Sequence, residues 1–268
     1  MRKGEMTMWP VSEAIPRVAF VTGGAVRLGR AIALALADAG FAVAIHYRSG
    51  EDDARRTVED IAARGQRGCM LRADLACEAE VTPLLDRVRA ELGPVGMLVN
   101  NASTFDRDEW NDTTRASWDA HLEPNLRAPF VLTQAFARQV PEGAEGMVLN
   151  MLDERVWSLT PHFVSYTVSK SALWTLTRTL ALALAPRRIR VNAIGPGPAL
   201  PSPRQSREQF ARQCASVPMG RGTCPDEVAR AALSLLCLPS VTGQMLALDG
   251  GQHLQWSPTP QPGQMPEE

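Results

Sequence analysis

Two residues that can exchange a proton lie four positions apart in the second half of the chain. Tyr166 and Lys170 stand at the ends of the sequence Tyr-Thr-Val-Ser-Lys. On a helix, positions i and i+4 share one face, so both side chains can point into the same cleft. An ammonium group close to a phenol stabilises the phenolate and makes the phenol a stronger acid. The pair predicts a tyrosine that acts as a general acid; the alternative is an exposed Tyr and Lys on a helical face.

A glycine-containing turn near the start of the chain suits the binding of a pyrophosphate. The sequence Thr-Gly-Gly-Ala-Val-Arg-Leu-Gly covers residues 22–29. Gly23 and Gly24 allow a sharp turn, and Gly29 lets a helix lie close to a strand and to a cofactor. The N-terminus of that helix offers free N–H groups and the positive end of its dipole. The position of this turn, between a predicted strand and a predicted helix, favours dinucleotide binding.

The residues after the second predicted strand indicate which dinucleotide is bound. An NAD-binding protein usually has Asp or Glu there to hold the ribose 2′-hydroxyl, but this chain has His46-Tyr47-Arg48-Ser49. Arg48 and Ser49 suit a 2′-phosphate, and Arg27 in the first turn can add a second cation. The charge pattern therefore predicts NADP(H), with a solvated loop arginine as the alternative for Arg48.

The elements that must position these residues alternate along the chain. Short apolar or β-branched runs predict strands, helical stretches lie between them, and short connections of this kind give right-handed βαβ units. We therefore predict an α/β protein with a single-domain Rossmann fold, a seven-stranded parallel sheet with helices on both faces. The predicted strands are 18–22, 42–46, 69–73, 97–100, 147–151, 189–194 and 245–248. The predicted helices are 28–39, 52–64, 78–92, 114–140, 164–185 and 225–238.

The chain divides into one large unit and two short ends. We expect an N-terminal extension over 1–16, an NADP-binding Rossmann-fold domain over 17–254 and a flexible C-terminal tail over 255–268, which contains four prolines. The Pro- and Gly-rich segment 195–207 predicts a long mobile loop.

Composition excludes several classes of protein. With 28 Lys+Arg, 29 Asp+Glu and a net charge of -1, we expect neither a nucleic-acid partner nor a membrane-binding patch. Five scattered cysteines without a C-x-x-C pair indicate a reduced protein, and the four histidines form no metal motif, so we predict no metal site. Neither a signal peptide nor an apolar run of the ~20 residues that span a bilayer is visible. The expected location is cytoplasmic.

Five motifs in register resemble the short-chain dehydrogenase/reductase family, from about residue 17 to residue 251. They are the turn 22–29, Asp74-Leu75, Asn100-Asn101-Ala102, Asn125 and the segment 166–170. The resemblance implies that Tyr166 donates a proton, that Lys170 assists it and holds the nicotinamide ribose, and that Asn125 holds a relay water. The implied cofactor contacts are Gly23, Arg27, Leu28, Gly29, His46, Tyr47, Arg48, Ser49, Asp74, Leu75, Asn101, Ala102, Ser103, Tyr166, Lys170, Pro196 and Gly197. The loop after Pro196 and Gly197 is implied to close over the site.

Two departures from the common family pattern indicate a particular branch. Arg27 stands where a glycine is usual, and Asp153 lies thirteen residues before Tyr166, where the family has serine; Ser158 lies five residues too late. An ionised carboxyl there would repel a developing alkoxide, but it suits a substrate with N–H donors or a nitrogen that awaits a proton.

Both departures are similar to the pteridine reductase branch, which includes dihydromonapterin reductases, as are the sequences Asn-Asn-Ala-Ser-Thr-Phe (100–105) and Asn-Met-Leu-Asp (150–153). The resemblance implies catalysis by Asp153, Tyr166, Lys170 and Asn125. It also implies that Asp153 and Tyr166 protonate a ring nitrogen while NADPH delivers hydride to the adjacent carbon. Phe105 is expected to stack on the pterin. The implied substrate-binding set is Arg27, Ser103, Phe105, Asp153 and Tyr166.

Two other functions stay open on the sequence. A carbonyl reductase that acts on a ketone, sugar or acyl substrate would use the same fold. A non-catalytic NADP-binding protein would not need the Asn125, Tyr166 and Lys170 set. The resemblance does not explain the pair Glu154-Arg155, and Trp157 and His162 suit either the pocket or plain packing. The apolar helices 114–140 and 164–185 imply, by resemblance, a homotetramer.

Overall fold

The computed structural model of the chain describes residues 10–202 and 204–255. Seven parallel strands form one sheet, as predicted. They are β1 (Val18–Val21), β2 (Ala42–Tyr47), β3 (Gly68–Arg72), β4 (Met97–Asn100), β5 (Gly146–Met151), β6 (Ile189–Pro196) and β7 (Met245–Leu248). Their order across the sheet is β3-β2-β1-β4-β5-β6-β7. The single-domain Rossmann fold is thereby confirmed, and each strand lies within two residues of its predicted bounds.

The strand order reverses direction between β1 and β4, which are hydrogen-bonded neighbours. In open α/β sheets, ligands bind outside the carboxyl ends of the strands at such a reversal. β1, β4 and β5 consist of buried residues throughout, so their carboxyl ends form a fixed edge. The glycine turn after Val21, the residues after Asn100 and those after Met151 therefore meet at one place.

Helices cover both faces of the sheet. They are α1 (Arg27–Asp38), α2 (Glu51–Ala63), α3 (Glu78–Val81), α4 (Leu84–Leu92), α5 (Arg115–Leu122), α6 (Ala128–Gln139), α7 (Val164–Leu184), α8 (Arg207–Ser216) and α9 (Pro225–Leu236). One apolar cluster includes Ile32 and Leu36 of α1 with Leu235 of α9. The cluster on the other face includes Val88 of α4 and Phe136 of α6. Apolar side chains on both faces explain why the strands read as continuous apolar runs.

Two predicted helices and one predicted loop differ from the structure. The helix predicted over 78–92 is interrupted between Val81 and Leu84, where Pro83 lacks the N–H that a continuous helix needs. The helix predicted over 114–140 contains a π-helical turn at Glu123–Arg127, a wider turn that is frequent at functional sites. Finally, the predicted loop 195–207 is shorter at both ends, because β6 reaches Pro196 and α8 begins at Arg207.

The two ends of the described chain differ. Val11 and Ile15, within the expected N-terminal extension, are buried and join the apolar cluster of α1. Of the expected C-terminal tail, only Gln255 lies within the described residues. In the ranges 10–202 and 204–255, no helix has the length and apolar character that a membrane span requires.

Candidate active site

Two adjoining cavities open at the carboxyl ends of the strands. We call the one at the first turn the turn cavity and the one at Tyr166 the tyrosine cavity. Every site residue selected from the sequence lines at least one of them, except Asn125. The turn cavity is lined by Gly23, Arg27, Leu28, Gly29, His46, Tyr47, Arg48, Ser49, Asp74, Leu75, Asn101, Ala102, Ser103 and Phe105, among others. The tyrosine cavity shares Arg27, Leu28, Asn101, Ser103 and Phe105 and adds Asp153, Tyr166, Lys170, Pro196 and Gly197.

The tyrosine hydroxyl and the aspartate carboxylate are in direct contact. Tyr166 Oη donates a hydrogen bond to Asp153 Oδ2 at 2.9 Å, and the Arg155 backbone N–H donates to Asp153 Oδ1 at 2.9 Å. Tyr166 lies in the first turn of α7, whereas Asp153 follows the end of β5 and caps a short 3-10 turn. The contact places a proton donor next to a carboxylate at the carboxyl ends of the strands.

Lys170 lies one helical turn after Tyr166 and is buried. Its ammonium donates to the Met151 carbonyl oxygen at 2.8 Å and lies 5.7 Å from the centre of the Tyr166 ring. Burial lowers the pKa of Lys170 to about 8, and the negative charge of Asp153 opposes part of this shift. The side chain is thus a cation at neutral pH and loses its charge in mildly alkaline solution.

Asn125 lies in the π-helical turn and joins three segments. Its Oδ1 accepts from the Thr104 backbone N–H at 2.8 Å and from the Ser103 hydroxyl at 3.2 Å. Its amide donates to the Thr104 carbonyl at 2.9 Å and to the Ser169 hydroxyl at 3.1 Å. These bonds fix the segment after β4 against α7, and the π turn lets Asn125 point inward.

Only glycine fits at position 29, where the start of α1 lies closest to the backbone of the first turn. A Cβ at Gly29 would overlap the Gly23 carbonyl oxygen and come within 2.5 Å of Asn101 Nδ2. The same Asn101 amide donates to the Thr22 and Gly23 carbonyl oxygens at 2.9 and 3.2 Å. Gly23 has φ +62°, a left-handed conformation that favours glycine. The turn leaves a concave backbone surface at the start of α1.

His46 supports this turn with both ring nitrogens. The Gly23 N–H donates to Nδ1 at 3.1 Å, so the proton is on Nε2, which donates to the Ala73 carbonyl at 3.0 Å. Burial lowers the pKa of His46, which keeps the ring neutral. His46 lines the turn cavity, but its polar atoms hold the protein's own backbone.

Among the arginine and serine residues that border the turn cavity are Arg27, Arg48 and Ser49, the three predicted to bind the cofactor phosphates. Arg48 and Ser49 are exposed at its rim. Arg27 adopts φ +54° and donates to the carbonyl oxygens of Pro201 and Leu200 at 3.0 and 3.5 Å. Arg27 therefore links the first turn to the segment that follows β6.

Phe105 belongs to an aromatic cluster that the sequence did not indicate. Its ring stacks on Phe163 with the ring centres 4.6 Å apart and the planes 9° apart. The Tyr166 ring meets Phe105 at 68°, with the centres also 4.6 Å apart. Phe163 precedes α7 with φ +57°, and Arg155 lies 5.0 Å from the centre of its ring. Phe163 and Arg155 come close to Tyr166 through the fold, and no spacing in the sequence signals this.

A second group missed by sequence reasoning lies beneath the aromatic cluster. His121, Ser165 and Asp108 are buried. The Ser165 hydroxyl contacts His121 Nδ1 at 2.7 Å and donates to the Asp108 carboxylate. The Asp106 N–H donates to His121 Nε2 at 3.0 Å. The group ties the segment that follows β4 and carries Phe105, which we call the Phe105 segment, to the start of α7.

The fold and the site together define a class of protein, an oxidoreductase with a Rossmann-type sheet and a Tyr–Lys pair at its cleft. The family model described as enoyl-(acyl carrier protein) reductase matches residues 24–253. The chain therefore belongs to the short-chain dehydrogenase/reductase family. Among its relatives, the 2-dehydro-3-deoxy-D-gluconate 5-dehydrogenase of Dickeya dadantii is 32% identical and covers 88% of this chain and 94% of its own. The 3beta-hydroxysteroid dehydrogenase 1 of Eggerthella lenta is 34% identical, with 87% and 92% covered.

Two solved structures share a higher sequence identity with the chain than these two relatives do. The FolM alternative dihydrofolate reductase 1 of Brucella suis, in complex with NADP, is 45% identical with a TM-score of 0.87, covering 91% of this chain and 98% of that one. The corresponding protein of Brucella canis, also with NADP, is 43% identical with a TM-score of 0.86, covering 92% and 98%. The pteridine reductase-like resemblance noted in the sequence is thus confirmed by the structural neighbours.

Proposed function

We propose that the chain is an NADPH-dependent reductase that transfers hydride to the C=N bond of a pterin or dihydrofolate-like substrate. The observation that carries this proposal is the 2.9 Å hydrogen bond from Tyr166 Oη to Asp153 Oδ2. It puts a carboxylate where a ketone reductase of the family has a serine hydroxyl. The likeness to two NADP-bound proteins named alternative dihydrofolate reductases supports it.

The turn cavity fits NADP(H). The backbone cradle at Gly23 and Gly29 would fill if either carried a Cβ, and it stands at the N-terminus of α1, where N–H groups and the helix dipole favour a pyrophosphate. Arg48 and Ser49 would hold the 2′-phosphate, Asp74 the adenine side, and Lys170 the nicotinamide ribose. When bound, NADPH supplies the hydride.

The residues of the tyrosine cavity supply the proton. Tyr166 Oη gives its proton to the ring nitrogen, which leaves a phenolate that the Lys170 ammonium stabilises. Asp153 accepts the hydroxyl hydrogen bond before substrate binds, and the O–H turns from Asp153 to the ring nitrogen for the proton transfer. Asn125 keeps Ser103 and the Phe105 segment in place, and Phe105 provides an apolar wall for a flat ring.

A carbonyl reductase is the second candidate, because the relatives named above include dehydrogenases of a sugar acid and of a steroid. Asp153 argues against it, because a carboxylate next to Tyr166 Oη repels the alkoxide that develops on a ketone oxygen.

NADPH oxidation distinguishes the two candidates. We expect turnover with dihydrobiopterin, dihydromonapterin or dihydrofolate and little with a ketone panel. Asp153→Ser should lower pterin turnover and raise ketone turnover. Turnover of ketones alone by the unmodified enzyme would refute the pterin assignment and leave the family unchanged.

The same proposal includes a homotetramer. α7 presents apolar residues to solvent in the single chain, among them Leu182, which is 80% exposed. Such a face is typical of a subunit contact. Light scattering should give a tetramer mass, and Leu182→Glu should reduce it; a monomeric enzyme would contradict this assignment.

A further inference from the structure

Arg155 has hydrogen-bonding capacity that the protein does not use. Its guanidinium lines the tyrosine cavity and its side chain is only 13% exposed. Nη1 donates to the Thr160 hydroxyl at 2.8 Å. The buried Nε meets no hydrogen-bond acceptor among the described residues; Asp153 Oδ1, 3.9 Å away, is too distant. A guanidinium has five N–H groups, and a buried donor without an acceptor costs stability.

The position of this cation restricts what it can bind. The guanidinium lies 5.0 Å from the centre of the Phe163 ring and 6.0 Å from that of Phe105. Asp153 lies between it and Tyr166, with one carboxylate oxygen directed to the phenol and the other toward Arg155. Arg155 and Tyr166 line the same cavity, so one ligand can contact both side chains.

We infer that Arg155 is a substrate-specificity residue that donates to an acceptor oxygen three bonds from the atom protonated by Tyr166. The inference rests on the proposed function and specifies its substrate class, a conjugated imine with such an oxygen beside the reduced bond. The 4-carbonyl oxygen of a pterin stands in this relation to the ring nitrogen next to it. The second oxygen of a 1,2-dicarbonyl stands in the same relation to the first.

Binding measurements on the NADP⁺-loaded enzyme test the inference without turnover. The probes are 2-amino-4-oxopteridine and 2,4-diaminopteridine, which place an acceptor oxygen or a donor amine at the same position. Arg155→Met should weaken binding of the oxo compound by about tenfold to a hundredfold, the range for a hydrogen bond to a charged group. Binding of the diamino compound should not weaken. Arg155→Lys should restore part of the difference.

Arg107→Met is the matched control, because Arg107 also lies over Phe163, at 5.8 Å, but pairs with Glu109 and does not line the tyrosine cavity. It should leave the ratio of the two affinities unchanged. Equal weakening of both probes by Arg155→Met, or no weakening of either, would overturn the inference and leave Arg155 a packing residue. Thermal melting of each variant verifies that it folds.

A second set of measurements distinguishes failure of this inference from failure of the proposed function. If the unmodified enzyme neither binds nor reduces pteridines, the pterin assignment fails, and the variants are compared on a 1,2-dicarbonyl and a matched monoketone. Selective loss of kcat/KM for the dicarbonyl in Arg155→Met supports the role of Arg155 on its own. Equal losses on both ketones refute it.

Discussion

The two cavities of the site are built in different ways. The turn cavity is formed by backbone and by side chains that hold backbone, such as His46 on Gly23 and Asn101 on the Thr22 and Gly23 carbonyls. One wall of the tyrosine cavity is formed by side chains on connecting segments, with Phe105 after β4 and Asp153 and Arg155 after β5. The first surface is suited to a ligand common to many enzymes, and the second to a particular substrate.

This difference predicts which changes are tolerated. Backbone hydrogen bonds and close glycine contacts leave the turn cavity few alternatives, whereas loop side chains can be exchanged without disturbing the sheet. Substitutions of the loop side chains of the tyrosine cavity, such as Asp153 and Arg155, should alter turnover and leave cofactor affinity intact, and substitutions in the glycine turn should do the reverse. Each prediction below tests that separation.

The largest effect is expected from Tyr166→Phe. The substitution removes the hydroxyl that contacts Asp153 and should reduce kcat by on the order of 10²–10⁴, the usual contribution of a general acid. NADPH affinity, measured by fluorescence titration, should be unchanged because the ring remains in place. A loss of only a few fold would mean that another group delivers the proton.

Gly29→Ala should disable the turn cavity. The added methyl overlaps the Gly23 carbonyl oxygen, so we expect NADPH affinity to fall by roughly a hundredfold or the protein to melt at a much lower temperature. Gly40→Ala is the matched control, because Gly40 follows the C-terminal end of α1. It has φ +87° and nothing within 4 Å of the added Cβ, so it should cost only about 1–2 kcal/mol of stability and leave NADPH affinity unchanged. Equal effects of the two variants on NADPH affinity would contradict the proposal that the backbone at Gly29 holds the cofactor.

The same contrast governed what the sequence could predict. The strands were placed within two residues because buried parallel strands are apolar throughout, and Tyr166 and Lys170 were paired because helical spacing is local. Phe163 and His121 were missed because their contacts with Phe105 and Ser165 join residues more than forty positions apart. Predicted helix 114–140 continued through the π turn because its apolar periodicity gives no sign of Asn125 turning inward.

Arg48→Asp tests how the turn cavity selects its cofactor. Replacing an exposed rim cation by an anion should shift the NADPH:NADH ratio of kcat/KM toward NADH by about tenfold to a hundredfold. Arg55→Asp, on the neighbouring helix and paired with Glu51, should leave the ratio unchanged. An unaltered ratio in Arg48→Asp would show that Arg48 does not bind the 2′-phosphate.

The pH dependence of kcat/KM should report the ionisation of Lys170. Its folded pKa of about 8 lies below the ordinary 10.5, so the ammonium is present below pH 8 and is lost as the pH rises through that value. kcat/KM, which reports the free enzyme, should therefore decline above about pH 8 and approach a tenfold loss per pH unit. In Lys170→Arg the guanidinium stays charged, so the decline should disappear even where the rate is lower. A wild-type profile flat to pH 10 would contradict this assignment.

The smallest effect is expected beneath the aromatic cluster, at His121. Its Nε2 accepts from the Asp106 N–H, and its Nδ1 contacts the Ser117 carbonyl and the Ser165 hydroxyl. It acts as a positioning residue for the segment that carries Phe105. His121→Phe leaves the Asp106 N–H without an acceptor, which should cost about 1–3 kcal/mol of stability.

The Phe105 segment should then loosen, so the KM for substrate should rise several-fold more than kcat falls, while NADPH affinity stays constant. His121→Gln retains an acceptor and a donor, and it should recover most of the loss in KM. A purely structural role would lower the melting temperature in both variants without this division between KM, kcat and cofactor affinity. A parallel loss of NADPH affinity would show that the two cavities are not independent.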